Sequence, residues 1–194
     1  MSSALPDGER VARAGLADGF GAVAIVVAGA MLLLFRPLAL GRPEAVFVLG
    51  ATYLLVGGLS LATPVPRPEP ALLHPLIVLA VGMGAFVLSS SVTGPRIPLP
   101  FAPHVLVLNT LAAVSEEAFF RRFLFGRLAR YGAATAILVT ALLFAAIHVP
   151  IYGTQVLWVD LGAGLLLSWQ RWASGRWTTP AATHVLANLL AVMR

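Results

Sequence analysis

Apolar runs of bilayer-spanning length, cut by short polar breaks, organise this chain from end to end. A membrane-spanning helix needs roughly 20 apolar residues, with about 17 as the lower limit. Gly19 to Phe35 makes the first such run. Ala45 to Ala62 makes the second and closes on the breaker TPVPRPEP. Ala71 to Ser91 makes the third and closes on TGPRIPLP, and the prolines at both breaks stop the helices. A fourth helix is predicted to start near Pro103 and run through Ser115 to about Arg130, where YGAA separates it from a fifth over Ala133 to Val149. PIYG makes the next turn, a sixth helix spans Thr154 to Gln170, RWASGRW forms a loop, and Thr178 to Met193 is the seventh. The expected fold is all-α, a polytopic membrane helix bundle of about seven transmembrane helices, or eight with a further or re-entrant span. Residues 19–194 form one transmembrane helical domain behind a polar N-terminal tail, residues 1–18.

Composition makes lipid the solvent. The 194 residues are 59% hydrophobic and 11% charged, with a mean hydropathy of +0.89, whereas soluble domains carry about 25% charged residues. There is no cysteine, which excludes disulfides, thiolate metal sites and thiol nucleophiles. The net charge of +5 is carried by arginine alone, since the chain has no lysine. These arginines are scattered in short breaks, which fits topology signals and contact with membrane lipids, not nucleic acid. Asp7, Glu9 and Asp18 lie among the first eighteen residues and no small-residue cleavage site follows, so the first run reads as a retained span. With a cytoplasmic N-terminus, Arg10, Arg13, Arg67, Arg121, Arg122, Arg127, Arg130, Arg171 and Arg176 fall on the cytoplasmic side, against Arg36, Arg42, Arg96 and Arg194 on the other. The excess sets that orientation. The all-arginine, alanine-rich composition fits a multi-pass protein of a bacterial inner membrane.

One stretch, SEEAFFRR (Ser115 to Arg122), puts four charges into an apolar region. Ionisable groups at bilayer depth cost roughly 2.5–3.5 kcal/mol each on insertion scales, so they are functional candidates by default. The set is Glu116, Glu117, His148, Asp160 and His184, joined by the polar Asn188. At about 1.5 Å rise per residue, Glu116 lies roughly 21 Å from the Arg130 end of its helix, His148 roughly 24 Å from Gly132 and Asn188 roughly 18 Å from Arg176, with His184 one turn away. Three helices can therefore deliver these groups to one level. Glu117 stands four residues before Arg121, the favourable order for a helical ion pair. Glu116 points about 100° away and is left to face the bundle as the reactive carboxylate.

Each residue also has a structural reading. Glu117 and Arg121 could tie helices together, His148 could bond a carbonyl at a helix end, and His184 and Asn188 could be interhelical glue. Asp160 reads as structural or water-exposed near the outer surface, His74 and His104 as interfacial, and Phe119, Phe120, Phe123 and Phe125 as lipid-facing or packing residues.

In combination the motifs are specific. EEAFFR (Glu116 to Arg121), FAAIH (Phe144 to His148) and HVLAN (His184 to Asn188) follow the patterns EExxxR, FxxxH and HxxxN in order. The chain thereby resembles the CPBP family of intramembrane endopeptidases, which includes type II CAAX prenyl endopeptidases and bacterial proteins associated with bacteriocin immunity. WASGRWTTPAATHVLAN also resembles that family's approach to its last motif. The likeness covers about residues 100–194, the protease-like core, and leaves the first three helices undiagnosed.

The resemblance implies hydrolysis of a peptide bond in a membrane-tethered protein or peptide substrate, a lipid-modified protein or a C-terminal sorting segment. Glu116 and His148 would activate water, His184 and Asn188 would stabilise the oxyanion, and Glu117 and Arg121 would support them. Amide hydrolysis needs those elements. No cofactor is favoured. The metal-dependent alternative is a divalent ion such as zinc on Glu116, His148 and His184, with water in the fourth position. Two other functions compete: a membrane interaction or immunity protein that keeps the fold without cleaving, and a proton-coupled transporter using the same buried groups. The latter would more often show a repeat or paired broken helices, and neither is present.

Overall fold

The computed structural model describes residues 7–65, 71–92 and 102–192, with backbone alone for 7–18 and 90–92. Both proline-rich breakers extend beyond the described residues, as do Arg67, Arg96 and Arg194. The described residues are helical, without strands: α1 Asp7–Leu34, α2 Ala45–Ala62, α3 Pro75–Val92, α4 Pro103–Glu117, α5 Phe125–Leu128, α6 Ala133–Ala146, α7 Val149–Tyr152, α8 Leu157–Ser174 and α9 Thr178–Val192. A π-helical segment, Ala118–Leu124, joins α4 to α5 without a break. α1 begins at Asp7, so most of the stretch read as a polar tail is helical.

The predicted boundaries hold for α2 and for the starts of α4, α6 and α9. RWASGRW is not a loop. α8 continues through Ser174 and ends at Gly175, whose φ of 66° supplies a left-handed cap. The reason is local. Arg171 is buried and its Nε donates to the Arg121 carbonyl at 3.0 Å, while Ser174 Oγ donates to the Gln170 carbonyl. A charge satisfied inside the bundle does not force the chain out of its helix.

α6 packs most extensively on α8, α4 lies between α2 and α9, and α3 closes against α8 and α9. The hydrophobic core collects Leu33 of α1, Tyr53 and Val56 of α2, Phe144 of α6 and Leu167 of α8 around Phe119, Phe120 and Phe123. These phenylalanines are packing residues, not lipid-facing ones, and Phe119 meets Phe120 edge-to-face at 5.0 Å. The outer surface is apolar as well. Phe20, Phe47 and Trp158 are each at least 76% exposed, as expected of side chains solvated by lipid. Among the described residues Ala45–Ala62 and Ala133–Tyr152 are long and apolar enough to cross a membrane, and Gly19–Leu34 and Pro75–Ser89 are shorter apolar helices.

Several arginines do not act as loop charges. Arg121 is fully buried. Arg122 Nη1 donates to the Ser60 and Thr63 carbonyls at the end of α2, satisfying groups the helix leaves open. Arg36 and Arg171 are buried too. Removing these four from the orientation count leaves six against three, in the same direction.

The α6–α8 contact depends on Gly164. A Cβ there would lie 2.9 Å from the Ala141 carbonyl oxygen and 3.0 Å from its Cα, and backbone cannot swing aside. Small residues permit such close approach of membrane helices. Gly164→Ala is therefore expected to destabilise the protein by about 1–3 kcal/mol, the usual cost of overpacking. Thermal unfolding in detergent checks this; an unchanged midpoint would contradict it.

Candidate active site

Two carboxylates next to each other in sequence are held in two separate clusters. Glu116 and Glu117 end α4, just before the π-helical segment. Both are buried, Glu117 completely.

Glu117 Oε1 accepts from Arg121 Nη1 at 2.9 Å and from His184 Nδ1 at 3.0 Å. The Arg121 pairing is the one the spacing predicts. The His184 contact is not. It assigns this histidine, carried by α9, to Glu117 and leaves its Nε2 as the free ring nitrogen. Arg121 Nη2 also donates to the Gly164 carbonyl, 3.2 Å away, which anchors the cluster to α8.

Glu116 faces the other way, as predicted. Its Oε1 accepts from Arg36 Nη1 at 2.5 Å, and its Oε2 lies 3.8 Å from His148 Nε2. His148 sits in the turn after α6, where its Nδ1 is 2.7 Å from the Phe144 carbonyl. A carbonyl can only accept, so Nδ1 carries a proton and donates to it, and Nε2 is the ring nitrogen turned to Glu116. The 3.8 Å between Oε2 and Nε2 leaves room for one bridging water. A water at about 2.8 Å from each satisfies both.

Phe144 stands between the clusters. Its ring centroid is 4.6 Å from that of His148 and 5.7 Å from that of His184, and the Arg121 guanidinium lies over it at 4.5 Å. The first letter of the FxxxH pattern is thus a wall shared by both histidines. Tyr152 stacks on His148, their ring centroids 6.0 Å apart.

Asn188 is placed by α4 and α9 together, its Nδ2 donating to the Asn109 carbonyl at 3.3 Å. Asp160 is half-buried in the first turn of α8. His74 and His104 are exposed near the starts of α3 and α4, as their sequence positions suggest.

Arg36, Tyr53 and Asn109 are the residues sequence reasoning missed, and Phe144 entered it only as a motif letter. Arg36 directly follows an apolar run and precedes a proline, the ordinary dress of a topology arginine, and nothing in the sequence links it to Glu116, 80 residues on. Among the described residues no three His, Cys, Asp or Glu side chains converge into a group able to hold a metal ion. The alternative set Glu116, His148 and His184 does not form such a group in this arrangement.

Residues 98–190 match the family model described as Type II CAAX prenyl endopeptidase Rce1-like. The match contains all three motifs and bears out the resemblance they carry, and that family implies a protease embedded in the membrane. No curated protein and no solved structure matches the chain.

Proposed function

We propose that this chain is a multi-pass intramembrane endopeptidase that hydrolyses a peptide bond of a membrane-associated substrate, a lipid-modified protein or a C-terminal sorting segment. The observation that carries the reading is the 3.8 Å approach of Glu116 Oε2 to His148 Nε2. Water held between them gives one proton to Glu116 as its oxygen attacks the substrate carbonyl. The tetrahedral oxyanion is stabilised by Asn188 Nδ2, held at the Asn109 carbonyl, and by the Nε2–H of a His184 imidazolium whose Nδ1–H donates to Glu117. The C–N bond then breaks and the proton stored on Glu116 passes to the leaving amine, with His148 as relay, regenerating the site. The exposed apolar flanks of α1, α2, α3 and α6 support a bilayer-embedded bundle, and the arginine excess supports a cytoplasmic N-terminus in a bacterial inner membrane.

The reading is tested on membrane proteomes from cells carrying wild type or Glu116→Gln at equal expression, with new protein termini read by mass spectrometry. A terminus present only with wild type supports it and identifies the cut site. Matched proteomes, with a phenotype that Glu116→Gln retains, replace proteolysis with the interaction or immunity role.

The purified wild-type protein is expected to keep its activity, within about twofold, after a strong chelator and dialysis, since the proposed chemistry needs acid–base groups alone. Loss of activity restored by zinc would move the mechanism to metal-activated water.

A further inference from the structure

We infer that Arg36, held by Tyr53, is a positioning residue for Glu116, so that the segment ahead of residue 98 completes a site whose motifs all lie behind it. The inference rests on the hydrolase reading above and extends it to helices outside the family match.

Arg36 occupies the 3-10 turn after α1 and is 5% exposed, although it follows an apolar run where an arginine would normally reach water. Three contacts fix it. Its Nε donates to the Leu33 carbonyl at 2.8 Å, its Nη1 donates to Tyr53 Oη at 3.2 Å, and its guanidinium lies 5.7 Å from the centre of the Tyr53 ring. The same Nη1 donates to Glu116 Oε1 at 2.5 Å. Tyr53 is itself buried on α2.

This arrangement divides the Glu116 carboxylate by function. Oε1 is bound by a donor that cannot give up its proton, because arginine stays charged. Oε2 is left as the oxygen facing His148. A carboxylate with both oxygens loose would rotate and lose its alignment with His148 Nε2. Misplacement of a reacting group by about 1 Å can cost 10²-fold in rate. Arg36 touches neither His148 nor His184 through any hydrogen bond, so its effect on chemistry runs through Glu116.

The test uses the full chain in detergent and a synthetic peptide spanning the terminus that the proteome comparison returns. Arg36→Gln is expected to lower kcat about 10- to 100-fold with KM within about twofold, and Arg36→Lys to recover part of the loss. In a Glu116→Gln background, Arg36→Gln should cost nothing further, a non-additivity that a merely structural residue would not show. Should Arg36→Gln fail to fold, Tyr53→Phe decides, because it removes one hydroxyl and is expected to lower kcat several-fold with an unchanged melting midpoint. Wild-type kcat in both Arg36→Gln and Tyr53→Phe overturns the inference and leaves the protease intact. A loss that appears in KM, or that Arg36→Lys does not relieve, also overturns it by pointing to substrate contact. A wild-type protein that cuts nothing removes the hydrolase reading and this inference with it.

Discussion

Glu116→Gln is expected to lower kcat by about 10²- to 10⁴-fold while the protein stays folded. The amide is nearly isosteric, and its oxygen can still accept from Arg36 Nη1 at the position Oε1 now holds. What disappears is the capacity of the other oxygen to take a proton from water. His148→Gln should produce a loss of the same order, since it removes the ring nitrogen that faces Glu116. The two groups act on one water, so the double variant should be little worse than the poorer single one. Single-turnover kinetics on the purified protein, with melting curves alongside, check this. Fully multiplicative losses would mean that Glu116 and His148 serve separate steps.

The second large effect concerns stability. Arg121→Met is expected to cost about 3–5 kcal/mol, because it strips a fully buried carboxylate of its cation. The loss also removes the donor to the Gly164 carbonyl and the cation over the Phe144 ring. Combining it with Glu117→Gln should restore most of the stability, since the uncompensated charge is then gone. Chemical denaturation in detergent, run as a double-mutant cycle, measures the coupling. If Arg121→Met alone melts like wild type, Glu117 has another partner sufficient to hold it. Activity need not return with stability, because His184 would still face an uncharged neighbour.

The pattern of apolar runs was enough to place most helices, because a lipid-exposed helix is marked by its length and ends at prolines and glycines. It failed at Arg171 to Ser174, where the arginine was read as a loop charge. Its true partner, the Arg121 carbonyl, is 50 residues away. The same blindness hid Arg36. The Glu117–Arg121 pair was legible because helical spacing brings its members together locally. His148 was legible through its depth. That His184 would turn to Glu117, and Asn188 to the carbonyl of Asn109, was not, since depth fixes height in a bundle but not direction. Phe144 was visible as a motif letter without a role; only the three-dimensional packing shows it touching both histidines and Arg121.

The Arg36–Glu116 contact bears on how such a chain can be inherited. A protein that exchanged its first two helices for another bundle's would retain EEAFFR, FAAIH and HVLAN intact and still lose the guanidinium on its first carboxylate. The halves on either side of residue 98 are therefore not free to drift apart. A change at Arg36 or Tyr53 demands an answer near Glu116, and the three motifs alone do not register it.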